Sequence, residues 1–336
     1  MPNLQQQRGV ALIIALLVVA LVATIAIKLS WRFDLTLARN GHRWLGIQAQ
    51  YYLEGAESIA KVYLAEDGRT TQEDHVSELW AETIDFPTDE GALRVTLVDA
   101  QSRLNVNSLG GNLDSKKVGA ERYTASQRRF IRLLQTLELA DGVLDQNQAE
   151  AILHAVKDWI DADSTVTSFG GAESDYYESL DVPIRIANGP MISVTELRVI
   201  QGVTAEIYRA LLPFVIALPE QQGLNVNTAP EQLLRTLNVK TTLLPLDQDS
   251  GKSLAETQSA EVFDNITHYS TNPDVQGIIG FSDVKDMDLT GLTINTQYFL
   301  FFGEVLMGDI LSRGKSLLFR DTDHAVTVLR RTDGEF

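Results

Sequence analysis

Between Arg8 and Lys28 the chain carries no charge, and from Val10 to Ile27 its only polar side chain is Thr24. At 1.5 Å rise per residue, those 18 residues make about 27 Å of helix, just enough to cross the hydrocarbon core of a bilayer. A cleaved secretory signal has an apolar core of about 7–15 residues that ends in small residues of the Ala-x-Ala type. Here the polar head, Met1 to Gly9, runs straight into the apolar run, and the run shows no such stop. A cut at Gly9 leaves the anchor on the mature chain.

No proline interrupts residues 10 to 65, and the apolar pattern outlasts the membrane. Ala49, Tyr52, Ala56, Ile59, Ala60 and Tyr63 follow helical spacing, with Gln48, Glu54, Glu57 and Lys61 mostly elsewhere. The spacing predicts one long helix over 10–66, transmembrane over 10–29 and amphipathic afterwards, ending near Glu66-Asp67-Gly68. Its 56 or so residues span about 84 Å, far more than a bilayer, so the second half must pack on a soluble head. The alternative is a simple anchor followed by a separate helix, broken at Gly41 or Gly46.

The 336 residues allow two domains. With 28 basic against 45 acidic residues the net charge is -17, which argues against nucleic acid and suits divalent cations or basic partners. The absence of cysteine excludes disulfides, thiolate zinc sites and cysteine nucleophiles. Charge leaves the orientation open. Lys28, Arg32, Arg39 and Arg43 follow the span, offset by Asp34, whereas only Arg8 and the amino terminus precede it. Taken alone, this bias places the C-terminal side in the cytoplasm.

Strand-like alternation occurs at Ala92 to Gln101, after a polar loop, and then only near the end, at Gln297 to Met307, Ser316 to Arg320 and Ala325 to Arg330. Four short strands from two distant places can form one antiparallel sheet for the long helix to pack on. From about Gln101 to Asp288 the text is mainly helical. Ser126 is a candidate cap for a helix from Arg128 to Leu139, and Asp145 for one from Gln148 to Ile160. Ser193 and Glu196 form a capping box; Gly202 ends that helix, and another runs from Ala205 to Val215. Leu104-Asn-Val-Asn-Ser-Leu is echoed by Leu224-Asn-Val-Asn-Thr-Ala-Pro, with a helix after the second copy that carries Pro230 in its first turn. The echo suggests two related helical modules.

Seven carboxylates, Asp158, Asp161, Asp163, Glu173, Asp175, Glu178 and Asp181, fall within 24 residues that contain no Lys or Arg. Gly170-Gly171 lets this stretch fold back on itself. Packed like charges call for a cation, and all-oxygen ligands on a flexible loop suit calcium better than magnesium, outside any EF-hand spacing. A solvated acidic loop without an ion is the competing reading. Tyr176-Tyr177 and the turn-rich Pro183 to Pro190 are expected to pack this loop. Gly202-Val-Thr-Ala faintly resembles a helix-hairpin-helix turn, but Thr204 replaces its second glycine and the surroundings are acidic, so ordinary helix packing is the simpler reading. No Gly-x-Ser-x-Gly elbow, His-Glu-x-x-His or phosphate loop is present. The five histidines are isolated, and His154 sits on a helix face as a core-edge residue. No enzyme activity is expected.

Taken together, several segments resemble the type II secretion system minor pseudopilin K family (GspK). They are Arg8-Gly-Val-Ala-Leu, Tyr52-Leu-Glu-Gly-Ala-Glu, Asp99-Ala-Gln-Ser-Arg-Leu-Asn-Val-Asn, Asp158-Trp-Ile-Asp-Ala-Asp, Gly171-Ala-Glu-Ser-Asp-Tyr-Tyr, Asn188, Thr195-Glu-Leu-Arg and Asn225-Val-Asn-Thr-Ala-Pro. The resemblance implies an α+β, type IV pilin-like fold: a long N-terminal helix (10–66) on an antiparallel sheet (67–101 and 292–336), with a large inserted all-α domain (102–291). It implies that prepilin peptidase cuts the 1–9 leader after Gly9 and methylates Val10. It further implies a single-pass protein of the bacterial inner membrane with a periplasmic head, against the loop charges. In this family the helical domain binds calcium, and by position Asp161, Asp163, Glu173 and Asp175 match that site. Ile14 stands where pilins generally carry a glutamate that pairs with a neighbour's amino terminus.

An unpaired buried ammonium is costly, so a subunit without that glutamate gains nothing beneath a neighbour but can sit on top. The bulk of the inserted domain points the same way. The expected function is therefore to cap the tip of the periplasmic pseudopilus and help initiate its assembly for export of folded exoproteins. The expected partners are the I- and J-type minor pseudopilins, the prepilin peptidase, the inner-membrane secretion platform and the exoprotein substrate. Three alternatives stand beside it: a minor pilin of a type IV pilus, a membrane-tethered helix-hairpin-helix DNA-uptake protein, and an anchored hydrolase using the acidic loop as a metal site. The acidic insertion argues against the first and the net charge against the second.

Overall fold

The structure, a computed structural model, describes residues 4–88, 91–219, 222–281 and 283–336, with backbone alone for 4–9. Met1 to Asn3, part of the expected 1–9 leader, lie outside the described residues. Helix α1, Leu4–Thr70, runs unbroken through Gly41 and Gly46. Its most apolar 18-residue stretch has a mean hydropathy of 3.2 and is wholly exposed. It ends four residues beyond Glu66, because the hydroxyls of Thr70 and Thr71 donate back to the carbonyls of Glu66 and Asp67.

The inward stripe of α1 differs from the expected one. Ala49, Ala56, Ala60 and Leu64 are buried, Tyr52 is half-buried, and Ile59 (67% exposed) and Tyr63 (39%) face out. Three of the four buried residues are alanines, so the backbone can approach its neighbours closely. Glu57 turns inward with them, because Arg331 donates to it at 2.6 and 3.0 Å and Ser316 Oγ at 2.5 Å. Burial pushes the Glu57 carboxyl up, but these donors outweigh it and hold the group below the usual carboxylate range.

The chain divides into two units, Met1–Gly55 with Asp85–Arg94 and Glu304–Arg313, and Ala56–Ile84 with Val95–Gly303 and Gly314–Phe336. In chain order α1 is followed by β1 (Ile84–Thr88) and β2 (Gly91–Asp99). β1 lies in what reads as a polar loop. Its Ile84-Asp-Phe-Pro-Thr alternates, but Pro87 cannot donate to a ladder; at the edge of a sheet that loss costs little.

Next come β3 (Leu104–Asn105), α2 (Ala125–Leu134), α3 (Gln146–Ile160), α4 (Ser174–Glu178), α5 (Ala205–Leu211), β4 (Val215–Ile216), β5 (Leu224–Asn225) and α6 (Glu231–Leu234). The chain continues through α7 (Gln248–Ala260), α8 (Ile266–Thr271), α9 (Pro273–Ile279) and β6 (Leu292–Thr293), and finishes with β7 (Tyr298–Met307), β8 (Ile310–Arg320) and β9 (Val326–Arg331). The five-stranded sheet has the order β1-β2-β7-β8-β9. Long helix, sheet and helical insertion together make the pilin-like α+β architecture.

Within the insertion the two Asn-Val-Asn copies are built alike. Each begins as a two-residue strand in a parallel pair, β3 with β4 and β5 with β6. Asn105 and Asn225 each cap the next turn by accepting the N–H two residues on. Residues 215–216 are thus strand, not the end of a helix, and α5 stops at Leu211. α2 is capped by Thr124 in a box with Gln127 rather than by Ser126, and it ends at Leu134, where the Thr136 hydroxyl turns back to the Leu133 carbonyl. Asp145 caps α3 as its sequence predicts. The Ser193–Glu196 box also forms, but it opens a 3-10 turn over Val194–Val199. Pro230 precedes α6 as its N-cap instead of entering its first turn.

α2 joins the modules through buried arginines. Arg128 pairs with Asp288 at 2.7 Å. Arg129 donates to the carbonyls of Asp288, Thr290 and Gly291, and Arg132 to those of Thr236, Val239 and Thr242.

Candidate metal centre

α3 delivers the first ligand. Its interior face, from Ala149 to Ile160, packs in the core of the insertion, and Asp161 forms its C-cap. The loop that follows is tied down at two points, Thr167 and Phe169. Both oxygens of fully buried Asp158 accept the Thr167 N–H, at 3.0 and 3.3 Å. Buried His154 bridges the Phe169 carbonyl and the Tyr123 hydroxyl, which makes it a core residue, as expected from its helix face. The two glycines permit the return. A Cβ on Gly170 (φ +85°) would lie 2.3 Å from that of Ala151, and one on Gly171 would lie 2.3 Å from Asp158 Oδ2.

The chain then enters α4 at Glu173. This side chain makes no capping bond to the helix and turns away from it, while Tyr177 seats α4 edge-on against Trp159 at 5.2 Å. As a result, one carboxylate oxygen from each of Asp161, Asp163 and Glu173 lies within 4.8 Å of the others.

Donors for these oxygens are missing. Asp161 Oδ1 and both oxygens of Glu173 are buried and receive no hydrogen bond among the described residues. Asn188, held at φ +45°, donates its Nδ2 to the Asp163 carbonyl at 3.2 Å; its buried Oδ1 is likewise without a donor. Lys157 Nζ pairs with Asp161 Oδ2. Burial, reinforced by Asp158, Asp161 and Asp163, pushes the Glu173 carboxyl up to about 7. Burial also raises Asp161, against the hydrogen bond from Lys157.

Three bare, buried oxygens from ionisable acids, with Asp163 converging on them, form the hard donor set that a calcium-type cation requires. The residues present fit such an ion. Of the four positions matched from sequence, Asp161, Asp163 and Glu173 converge, whereas Asp175 lies exposed on α4 and outside the triad. Lys157 is a cation at the site that the sequence pattern passes over; its signal is its place four residues before Asp161 on one helix face.

A second acidic group, Asp67, Asp74 and Glu78, is satisfied internally. Arg320 donates to both oxygens of Asp74 at 2.6 Å and to Asp67 at 3.2 Å, and Glu78 accepts from Trp80 Nε1, His75 N and Thr71 Oγ1. This is a network built around a buried guanidinium. The remaining predicted positions lie on α1: Gly9 within the helix, and Val10 and Ile14 on its exposed apolar surface.

A family model described as "Type II secretion system (T2SS), protein K" matches residues 102–220, which hold the triad. Type II secretion system protein K of Aeromonas hydrophila is 32% identical over 343 residues, covering 99% of this chain and 99% of its own. The chain belongs to the type II secretion system protein K family. Other members of the family include those of Pseudomonas aeruginosa (32% identity, 98% of this chain and 93% of that one) and Pectobacterium carotovorum subsp. carotovorum (35%, 67% and 68%). Among solved structures, the crystal structure of the GspK-GspI-GspJ complex from enterotoxigenic Escherichia coli matches with a TM-score of 0.72 at 25% identity, over 89% of this chain and 100% of that one.

Proposed function

We propose that this chain is the tip subunit of a type II secretion pseudopilus. It waits in the inner membrane on α1 with its head in the periplasm, and initiates assembly with I- and J-type minor pseudopilins for export of folded exoproteins. The observation that carries this reading is the likeness, over 89% of this chain, to a chain of the GspK-GspI-GspJ complex. Two features of this chain support the tip position. The insertion between β2 and β7 adds most of the mass of the head, and Ile14 leaves α1 without the carboxylate that would neutralise an overlying amino terminus. Prepilin peptidase cuts after Gly9 and methylates Val10, and the secretion platform and exoprotein meet the assembled tip.

Calcium is the ion we assign to Asp161, Asp163 and Glu173, with Asn188 as a neutral ligand. Its charge neutralises the triad. The chain's own part is to hold α3, the glycine return and α4 in register, so that the periplasmic face of the insertion keeps one shape.

The test is co-purification of the full chain with full-length I- and J-type partners, with calcium or chelator. A ternary complex that weakens in chelator supports the reading; no complex in either condition rejects it. Ile14→Glu separates the two arguments for position. If bulk decides, the variant stays at the tip; its appearance along the shaft would remove the bulk argument.

A further inference from the structure

α1 carries a two-part exposed face above the membrane. Phe33, Leu37, Trp44, Ile47 and Tyr51 are all exposed. They fall on alternating three- and four-residue steps of a heptad, within about 80° of one another at 3.6 residues per turn. The missing step is Asn40, also exposed, a polar residue inside an apolar seam. Such a residue specifies register between paired helices at some expense of stability.

One flank of this seam is basic. Lys28, Arg32, Arg39 and Arg43 lie within about 60° of each other over about 22 Å of helix. All four are exposed and have no ion-pair partner among the described residues. The only acid between residues 28 and 43, Asp34, falls on the opposite side. In a chain of net charge -17 this concentration of cations is conspicuous. These cations are themselves the bias that would put this side in the cytoplasm, opposite to the periplasmic head of the tip reading, so topology does not account for them.

Lipid does not account for it either. The headgroup layer adds about 5–8 Å to each side of the hydrocarbon core. Lys28 and Arg32 reach that layer, but Arg39 lies about 18 Å beyond Ile27 and Arg43 about 24 Å. The upper half of the stripe therefore lies beyond the reach of lipid headgroups.

We propose that this face docks a parallel helix of a neighbouring subunit that carries an apolar seam and an acidic flank, and that Lys28, Arg32, Arg39 and Arg43 select it. The proposal rests on the tip reading and names what chooses the neighbour. The seam supplies the burial; the one-sided flank rejects helices whose matching edge is basic, since like charges then face each other, and gives a neutral edge no charge attraction. Asn40 fixes the axial offset.

The test uses the full chain co-expressed with full-length I- and J-type partners, extracted in mild detergent. The variants are Arg39→Glu with Arg43→Glu, Arg39→Gln with Arg43→Gln, and Lys28→Glu with Arg32→Glu. All these positions are exposed, and unchanged melting confirms that the variants fold. The upper Glu pair is expected to lower the recovered partner roughly tenfold, and the Gln pair roughly threefold. Raising the salt should narrow the gap, as screening removes the attraction. If the unaltered chain captures a partner and the upper Glu pair captures it equally well, the flank proposal is overturned and the tip reading stands. If only the lower pair matters, the counter-charge is lipid headgroup, and the proposal fails. If the unaltered chain captures neither partner, the tip reading falls and this proposal with it.

Discussion

Asn107 and Asn227 do the same job in two different modules. The Asn107 amide donates to the Met191 carbonyl at 2.9 Å and accepts the Met191 N–H at 2.7 Å, while Asn227 does so with Phe263 at 2.9 and 3.1 Å. A side-chain amide thus stands in for a strand partner and closes a long segment onto each Asn-Val-Asn turn. Removing either amide leaves a buried backbone N–H and C=O unpaired, at about 1–3 kcal/mol per group. Asn107→Ala and Asn227→Ala are each expected to cost more than about 2 kcal/mol in denaturant unfolding, whereas exposed Asn112→Ala stays within about 0.5 kcal/mol. Equal midpoints for all three would refute the clamp.

Calcium should raise the melting temperature of the chain. At a concentration one hundred times the dissociation constant, a ligand that binds only the folded state adds about 2.7 kcal/mol. Asp161→Asn and Glu173→Gln should abolish that gain, while Asp175→Asn keeps it, because Asp175 stands outside the triad. Loss of the shift in Asp175→Asn would move the ligand set back to the four positions read from sequence.

The head should become less stable between about pH 4 and 6. Burial pushes Asp99 up to about 6, against hydrogen bonds from Thr228 and its neighbours, and Asp67 up to about 6, with Glu78 and Asp74 adding to burial and Arg320 opposing it. Unfolded, both titrate near 3.9. Their contribution is fully present below about pH 4 and is lost as pH rises through about 6. The combined effect is on the order of 1–3 kcal/mol, since Asp67 is partly screened by solvent. Thermal melting in chelator, in a Glu173→Gln background, reads it; Asp99→Asn should flatten the slope. A slope that rises with pH would contradict the assignment.

Arg132 is fully buried, and burial pulls its guanidinium down to about 9. Its two terminal nitrogens serve three carbonyls at 2.7 Å, a fork that lysine cannot reproduce. Arg132→Lys should therefore destabilise at least as much as Arg132→Met, each by about 2–4 kcal/mol, because it retains a buried charge without its acceptors. A lysine variant as stable as wild type would mean that the carbonyl cradle contributes nothing.

Local physics was legible in the sequence. The uncharged run from Val10 to Ile27 sets a helix whatever surrounds it, and the cap of α3 at Asp145 depends on residues within one turn. The Asn-Val-Asn echo announced two modules because each asparagine first caps its own turn. Less legible was the rest of the repeat. Leu133-Leu-Gln-Thr-Leu and Leu233-Leu-Arg-Thr-Leu also correspond, with Thr136 and Thr236 making the same turn, but they lie 100 residues apart where the Asn-Val-Asn copies lie 120 apart. The first module has a longer connection.

Whatever depended on a distant partner was decided by the tertiary structure. Periodicity gave Ile59 and Glu57 the wrong faces, because Arg331 and Ser316, more than 250 residues away, supply the donors that draw Glu57 inward. Spacing could count seven carboxylates between Asp158 and Asp181 but could not rank them. Thr167 takes Asp158, solvent takes Asp175, and the glycine return brings Glu173 to Asp161 and Asp163 without donors. Sequence alone determined the uncharged N-terminal run and the helical and alternating patterns, since those follow from neighbours along the chain. The fold chose which acids meet, because that depends on where a loop returns.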